Sequence, residues 1–211
     1  MSLPLYEMKI KEEDEESGVS KISLVKNPAI QSNHVYFKED KKPIYFNSDT
    51  DRRLVTSAIM IPNLPIYRND NGQEYEVVFS KDTIEKMRDK YLKEVKLHEV
   101  NVDHTKDVSN VFMVETGIVD KQRGINAPKG LDLKEGTWWA TFRVENDEVW
   151  KNIKNGEFNG FSLEGVFDLF QMFECEKFNK TVKNNLKSSI LDTNLSYNDR
   201  LKALNKLIKN V

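Results

Sequence analysis

Short runs of apolar, β-branched and aromatic residues, divided by turn residues, follow one another from Lys21 to Phe170. Lys21-Ile-Ser-Leu-Val25 reads as a strand ended at Asn27-Pro28, where proline removes a ladder donor and restricts the residue before it. His34–Phe37 and Pro43–Phe46 are short and aromatic, and Leu54–Ile61 is a longer β-rich run closed by Pro62. Asn69-Asp-Asn-Gly72 signals a turn, and Glu74–Phe79 beyond it alternates charged and apolar residues like a half-buried strand. The period then changes. From Asp82, Ile84, Met87, Tyr91 and Leu92 fall on one helical face, with Glu85 at capping-box spacing. Val111–Val119 and Thr137–Val144 are the two best strand candidates, joined by a connection containing Gly124, Pro128 and Gly130. Asn146 caps a short helix carrying Val149, Trp150 and Ile153, which stops at Gly156, and Gly160–Phe170 returns to strand.

Beyond Phe173 the chain becomes rich in Lys and Asn, with Leu201, Leu204, Leu207 and Ile208 at helical spacing after a cap at Ser196 or Asn198. The pattern predicts an acidic segment over 1–19, a mainly β domain with two inserted helices over 20–173, and a helical appendage over 174–211. No βαβ alternation suggests a parallel sheet, so a small antiparallel barrel of about seven strands is the expected architecture.

Composition narrows the function. A length of 211 residues allows one compact domain with an appendage, or two very small ones, and no apolar run approaches the ~18 residues of a membrane span. Its 32 Lys+Arg against 34 Asp+Glu give a formal charge of −2, which supplies no global field for a nucleic acid. Basic charge gathers locally between Lys177 and Lys209, but without interleaved aromatics. The like-charged run Glu12–Glu16 reads as a solvated loop. Cys175 is the single cysteine, and the first residues lack the basic-then-apolar order of a signal peptide, so a reducing cytoplasm is expected.

Imidazole or metal chemistry has three histidines to draw on, His34, His98 and His104. His98 and His104 are six residues apart, whereas two ligands on one helical face need i, i+4, so no metal site is expected. His104 follows the alternating Val100-Asn-Val102 and stands at or just beyond a strand end. Ser162 lies in Gly160-Phe-Ser-Leu-Glu-Gly165, which differs in spacing from the Gly-x-Ser-x-Gly elbow of α/β-hydrolases. The strand period turns Glu164 to the same face as Ser162.

Several segments together resemble the XkdF-like phage serine proteases, relatives of the prohead maturation proteases whose fold is similar to the herpesvirus assemblins. They are Ile22–Ile30, Ile61–Arg68, Phe79–Ile84, Asn101-Val-Asp-His104, Gly136–Phe142, Asn146–Trp150 and Gly156–Gly165, in order over residues ~20–170. The resemblance implies a serine endopeptidase with Ser162 as nucleophile and His104 as general base, and no cofactor. Ile22-Ser-Leu-Val25 and Pro28-Ala29 match a strand and turn that follow the serine in related proteases, as if this barrel were circularly permuted. By the same resemblance the Ala29 N–H is an oxyanion donor. The position of the third catalytic member then holds Lys21, which cannot orient an imidazolium. Glu164 is the favoured replacement; Asp103, a Ser–His dyad and an inactive protein are the alternatives. The implied substrates and docking partners are the major capsid protein and scaffold, with the portal and further copies of the chain as other partners, in the host cytoplasm, the procapsid interior or the virion. The rival expectation is a non-catalytic virion or capsid-assembly protein on the same fold.

Overall fold

The computed structural model describes residues 3–31, 47–49 and 52–171, all within the first of the chain's two units, Met1–Gln171. The strands expected at 34–37 and 43–46, His34, Cys175 and the expected helical appendage lie outside the described residues.

Twelve strands and two α-helices are described, in the order β1 (Leu5–Lys9), β2 (Gly18–Val25), β3 (Asn47–Asp49), β4 (Leu54–Met60), β5 (Ile66–Asp70), β6 (Gln73–Val78), α1 (Lys81–Lys93), β7 (Val100–Val102), β8 (Lys106–Asp107), β9 (Val111–Ile118), β10 (Trp138–Val144), α2 (Asp147–Lys154), β11 (Gly160–Val166) and β12 (Asp168–Gln171). They form three four-stranded sheets, ordered β12-β1-β6-β5, β3-β4-β10-β9 and β11-β2-β7-β8. None of them closes into a barrel, so the mainly β class with two inserted helices holds while the described strands outnumber the seven expected. The sheets are also mixed: β1 runs parallel to β6, and β2 parallel to β7. Parallel neighbours need a long connection. Here the chain from Val25 to Val100 supplies it, carrying β4, the β5–β6 hairpin and α1 on the way.

Local signals explain most of the elements. Asn71 and Gly72, both at positive φ, make the two-residue loop between Asp70 and Gln73 that matches the twist of a hairpin. Helix α1 is capped by Ser80, whose hydroxyl accepts from the Thr83 N–H at 3.3 Å, two residues before the cap expected at Asp82. The Asn146 side chain caps α2 as expected, accepting from Val149 N–H at 3.1 Å. Two differences lie in the strands. Leu5–Lys9 pairs between β6 and β12, so the segment 1–19 contributes a strand rather than only solvated charge. The run Gly160–Phe170 divides at Phe167 into β11 and β12, which enter different sheets.

One core joins the layers. Helix α1 buries Ile84, Met87 and Tyr91, and Tyr91 meets Trp138 of β10 edge-on at 5.8 Å. Phe142 of β10 contacts Phe161 of β11 at 4.9 Å, which ties the sheet of β4 and β10 to the sheet of β2. Each fully buried side chain of this size contributes about 1.5–3 kcal/mol. That packing fixes the edge strand β11.

Candidate active site

Three paired strands set a row of polar side chains on one face. On β11 and β2 Ser162 stands opposite Ser23, and on β2 and β7 Ser23 stands opposite Asn101. Opposed residues share a face, so Ser162, Ser23 and Asn101 line up across the sheet, with Glu164 opposite Lys21 one pleat further on.

His104 reaches this face through the turn after β7. Asp103 and His104 both lie in the left-handed region, at φ 45° and 58°, a conformation that costs non-glycine residues on the order of 1 kcal/mol each. The Asp103 N–H continues the pairing to Leu24 O at 3.0 Å, and the Thr105 N–H closes the turn on Val102 O at 3.0 Å. The chain thereby bends back and brings the imidazole over the row.

Four of these side chains meet. The Glu164 Oε1 oxygen lies 2.8 Å from His104 Nδ1, accepts from Asn101 Nδ2 at 2.5 Å, and lies 3.1 Å from Ser23 Oγ. Ser23 Oγ is also hydrogen-bonded to Asn101 Oδ1 and lies 3.0 Å from His104 Nδ1. Proton counting orders the cluster. Ser23 has one proton and Asn101 Oδ1 has none, so the hydroxyl donates to the amide oxygen. Asn101 then donates its N–H to the carboxylate, and the proton between His104 and Glu164 sits on Nδ1. Partial burial of Glu164 disfavours its charge, but the hydrogen bonds at its carboxylate, led by those from Asn101 and His104, outweigh this and hold the carboxyl below its ordinary range.

The other candidates fall as follows. Ser162 is 8% exposed and makes no hydrogen bond to His104; it opens on a cavity of about 490 Å³ lined also by Ala29, Phe161 and Glu164. Ala29 begins a 3-10 turn over Ala29–Gln31, and Pro28 before it packs on Gly160, where an added Cβ would lie 2.3 Å from Pro28 Cγ. Gly160 therefore lets the bend lie against the serine strand. Lys21 turns to Asp107, with Nζ 2.5 and 2.6 Å from its two oxygens; this bond raises the ammonium pKa. Asp103 accepts from the Lys26 N–H at 3.4 Å, and His98 lies against Phe112 at 5.5 Å. Ser23 and Asn101 carry no motif in the sequence that marks them as site residues. The available signal was a polar residue between two apolar ones in each strand, Ile22-Ser-Leu24 and Val100-Asn-Val102, both fully or almost fully buried here.

The model of the family described as "Putative phage serine protease XkdF" matches residues 41–171. The chain belongs to this family. Among curated proteins, the Phage-like element PBSX protein XkdF of Bacillus subtilis (strain 168) is 24% identical over 167 residues, covering 75% of this chain and 56% of that protein. The chain thus spans little more than half the length of that relative. No solved structure matches. The XkdF match includes His104, Ser162, Asn101 and Glu164, while β1, β2 and Ser23 precede it. Among the described residues, no helix is long and apolar enough to cross a membrane.

Proposed function

We propose that this member of the XkdF family is a serine endopeptidase with Ser162 as nucleophile, His104 as general base and Glu164 as the group that orients and stabilises the imidazolium. The observation that carries the reading is the 2.8 Å contact between His104 Nδ1 and Glu164 Oε1, which orients the imidazole and leaves Nε2 as the nitrogen for proton transfer with Ser162. Ser162 suits the nucleophile better than Ser23. Ser23 is fully buried, gives its proton to Asn101 and meets the same nitrogen as Glu164, whereas Ser162 lines a cavity of about 490 Å³. Hydrogen bonds of a catalytic pair often form only when substrate is bound, which accommodates the missing Ser162–His104 bond.

In this reading the Ser162 hydroxyl proton passes to His104 Nε2 as Oγ bonds to the peptide carbonyl carbon. Backbone N–H groups, with that of Ala29 as candidate, hold the resulting oxyanion. Collapse breaks the C–N bond as His104 returns the proton to the leaving amine, leaving an acyl ester on Ser162. Water then attacks that ester, its proton again taken by His104 and delivered to Ser162 Oγ. The pairing of β2 with β11 supports treating Ile22–Val25 as the permuted counterpart of a strand that follows the serine in related proteases. The substrates are scaffold and capsid-protein segments in the assembling procapsid; the portal and other copies of the chain are docking partners, and residues 174–211 are a segment that carries the protease there. The phage description of the family supports this setting.

A second reading, a non-catalytic capsid-assembly or virion protein, draws on the absent Ser162–His104 hydrogen bond. Co-expression with capsid and scaffold proteins separates the two. Ser162→Ala and His104→Ala should abolish processing, and a fluorophosphonate should label the wild type but not Ser162→Ala. Processing that persists in both variants sinks the protease assignment, and loss in Ser23→Ala alone would move the nucleophile to Ser23.

A further inference from the structure

The cavity beside Ser162 is about half polar and half apolar, with Ile30, Ile59, Met60, Ile66, Phe79 and Phe161 supplying its apolar walls. Two charged side chains line it, Glu164 and Arg68. Glu164 already receives bonds from the site. Arg68, on β5, does not. Its guanidinium has five N–H donors, yet it makes one hydrogen bond, from Nη1 to Tyr67 O at 3.1 Å, and no ion pair among the described residues. Arg52, Arg53, Arg88 and Arg123 each meet a carboxylate, whereas Arg143, half-buried on β10 and not among the cavity's lining, shares with Arg68 the lack of an ion pair among the described residues. Arg68 is half-buried, and burial pulls its pKa down, opposed by Tyr75 across the hairpin. A cation partly stripped of water with no counter-charge is unfavourable, and a carboxylate arriving with a ligand would supply the missing partner in forked geometry.

We propose that Arg68 selects an acidic side chain, aspartate or glutamate, on the residue whose carbonyl Ser162 attacks. The apolar walls take the methylene stem and the guanidinium takes the carboxylate. This inference rests on the protease reading and adds its substrate preference. Glutamine is the isosteric neutral competitor, so discrimination lies in one charge-assisted interaction, which corresponds to about tenfold to a hundredfold in rate.

The test uses the full chain and three diphenyl phosphonates that differ only in a Glu, Gln or Lys side chain. Their phosphorus is attacked by Ser162 Oγ with phenol released. A plain fluorophosphonate, which carries no such side chain, reports the nucleophile separately. The expected result is that the wild type reacts with the Glu probe at least tenfold faster than with the Gln probe, that Arg68→Gln brings this ratio near one, and that Arg68→Glu favours the Lys probe. Because the ratio is read within each protein, and first in the wild type, a poorly folding variant does not remove the test. If the plain probe labels Ser162 but the wild-type ratio is near one, the specificity inference is overturned and the protease reading stands. A ratio that survives both Arg68 variants overturns the assignment to Arg68. If folded wild type does not react with the plain probe, both fall together.

Discussion

Replacing Asn101 by alanine removes the amide that links Ser23 to Glu164. The Asn101 side chain is 4% exposed, donates to Glu164 Oε1 at 2.5 Å and accepts the Ser23 hydroxyl. A hydrogen bond to a charged group contributes about 1.5–3 kcal/mol net, and a buried hydroxyl left without a partner costs about 1–3 kcal/mol. Part is recovered, because Ser23 can turn its proton to Glu164 Oε1, 3.1 Å away. The carboxylate is 29% exposed, which weakens its bond through solvent screening. A loss of about 2–3 kcal/mol remains, or roughly 4–12 °C in Tm for a domain of this size. The loss also depends on pH. Against the effect of burial, the hydrogen bonds led by those from Asn101 and His104 hold the Glu164 pKa below 4.5. A carboxyl whose folded pKa lies below its unfolded one adds stability that is present above the unfolded value and lost as pH falls through the folded value. Without Asn101 the folded pKa rises toward 4.5, so the gap between wild type and variant is full at neutral pH and narrows in acid below 4.5. Urea unfolding of the full chain at pH 7 and pH 3.5, followed by fluorescence of Trp138, Trp139 and Trp150, measures both effects. An Asn101→Ala variant within about 0.5 kcal/mol of wild type at pH 7, or a gap that stays constant into acid, would refute the proton arrangement assigned to this cluster.

Two further substitutions probe the edges of the site. Lys21→Met removes the bond to Asp107 but touches none of the bonds among Ser23, Asn101, His104 and Glu164, so labelling by a fluorophosphonate and the urea midpoint should stay near wild type; a large drop in labelling would give Lys21 a part in the chemistry. Gly160→Ala should destabilise the fold by about 1–3 kcal/mol and slow labelling, because a Cβ 2.3 Å from Pro28 Cγ must lift the Pro28-Ala29 bend from β11; equal Tm and equal labelling rate would show that this contact is not what positions Ala29.

What could be read from the chain alone follows the range of the interaction behind each signal. The β5–β6 turn and the caps of both helices are decided within a few residues, so Asn71-Gly72 and Asn146 were legible and the cap of α1 was missed by only two positions. Strand pairing is not local. Nothing in Val100–Val102 announces that it runs parallel to β2, because the crossover that permits this is built from β4, a hairpin and α1, each readable only by itself. The antiparallel barrel was inferred from the absence of βαβ alternation, and this chain makes its parallel contacts without such alternation. The strand Leu5–Lys9 was hidden for another reason: its partners β6 and β12 lie far along the chain, and the charge of Glu12–Glu16 dominates the composition around it.

The site divides in the same way. Period two along β11 was enough to put Glu164 on the face of Ser162, and the structure adds that the Glu164 carboxylate meets His104 at 2.8 Å. Ser23 and Asn101 could not be found by that argument, since each is a single polar residue in its own strand and they become neighbours only through the β11-β2-β7 order. Their burial has a chemical consequence. A hydroxyl and an amide enclosed between apolar neighbours must satisfy one another, and with the Asn101 oxygen facing Ser23 the Ser23 proton goes to Asn101 and the Asn101 proton to Glu164. His104 Nδ1 then meets a carboxylate held on a strand two places away in the sheet. In the proposed protease, the carboxylate on Ser162's own strand would stand in for the member that Lys21 cannot supply, and what the structure shows is that Asn101 and His104 bring it the donors that keep it charged.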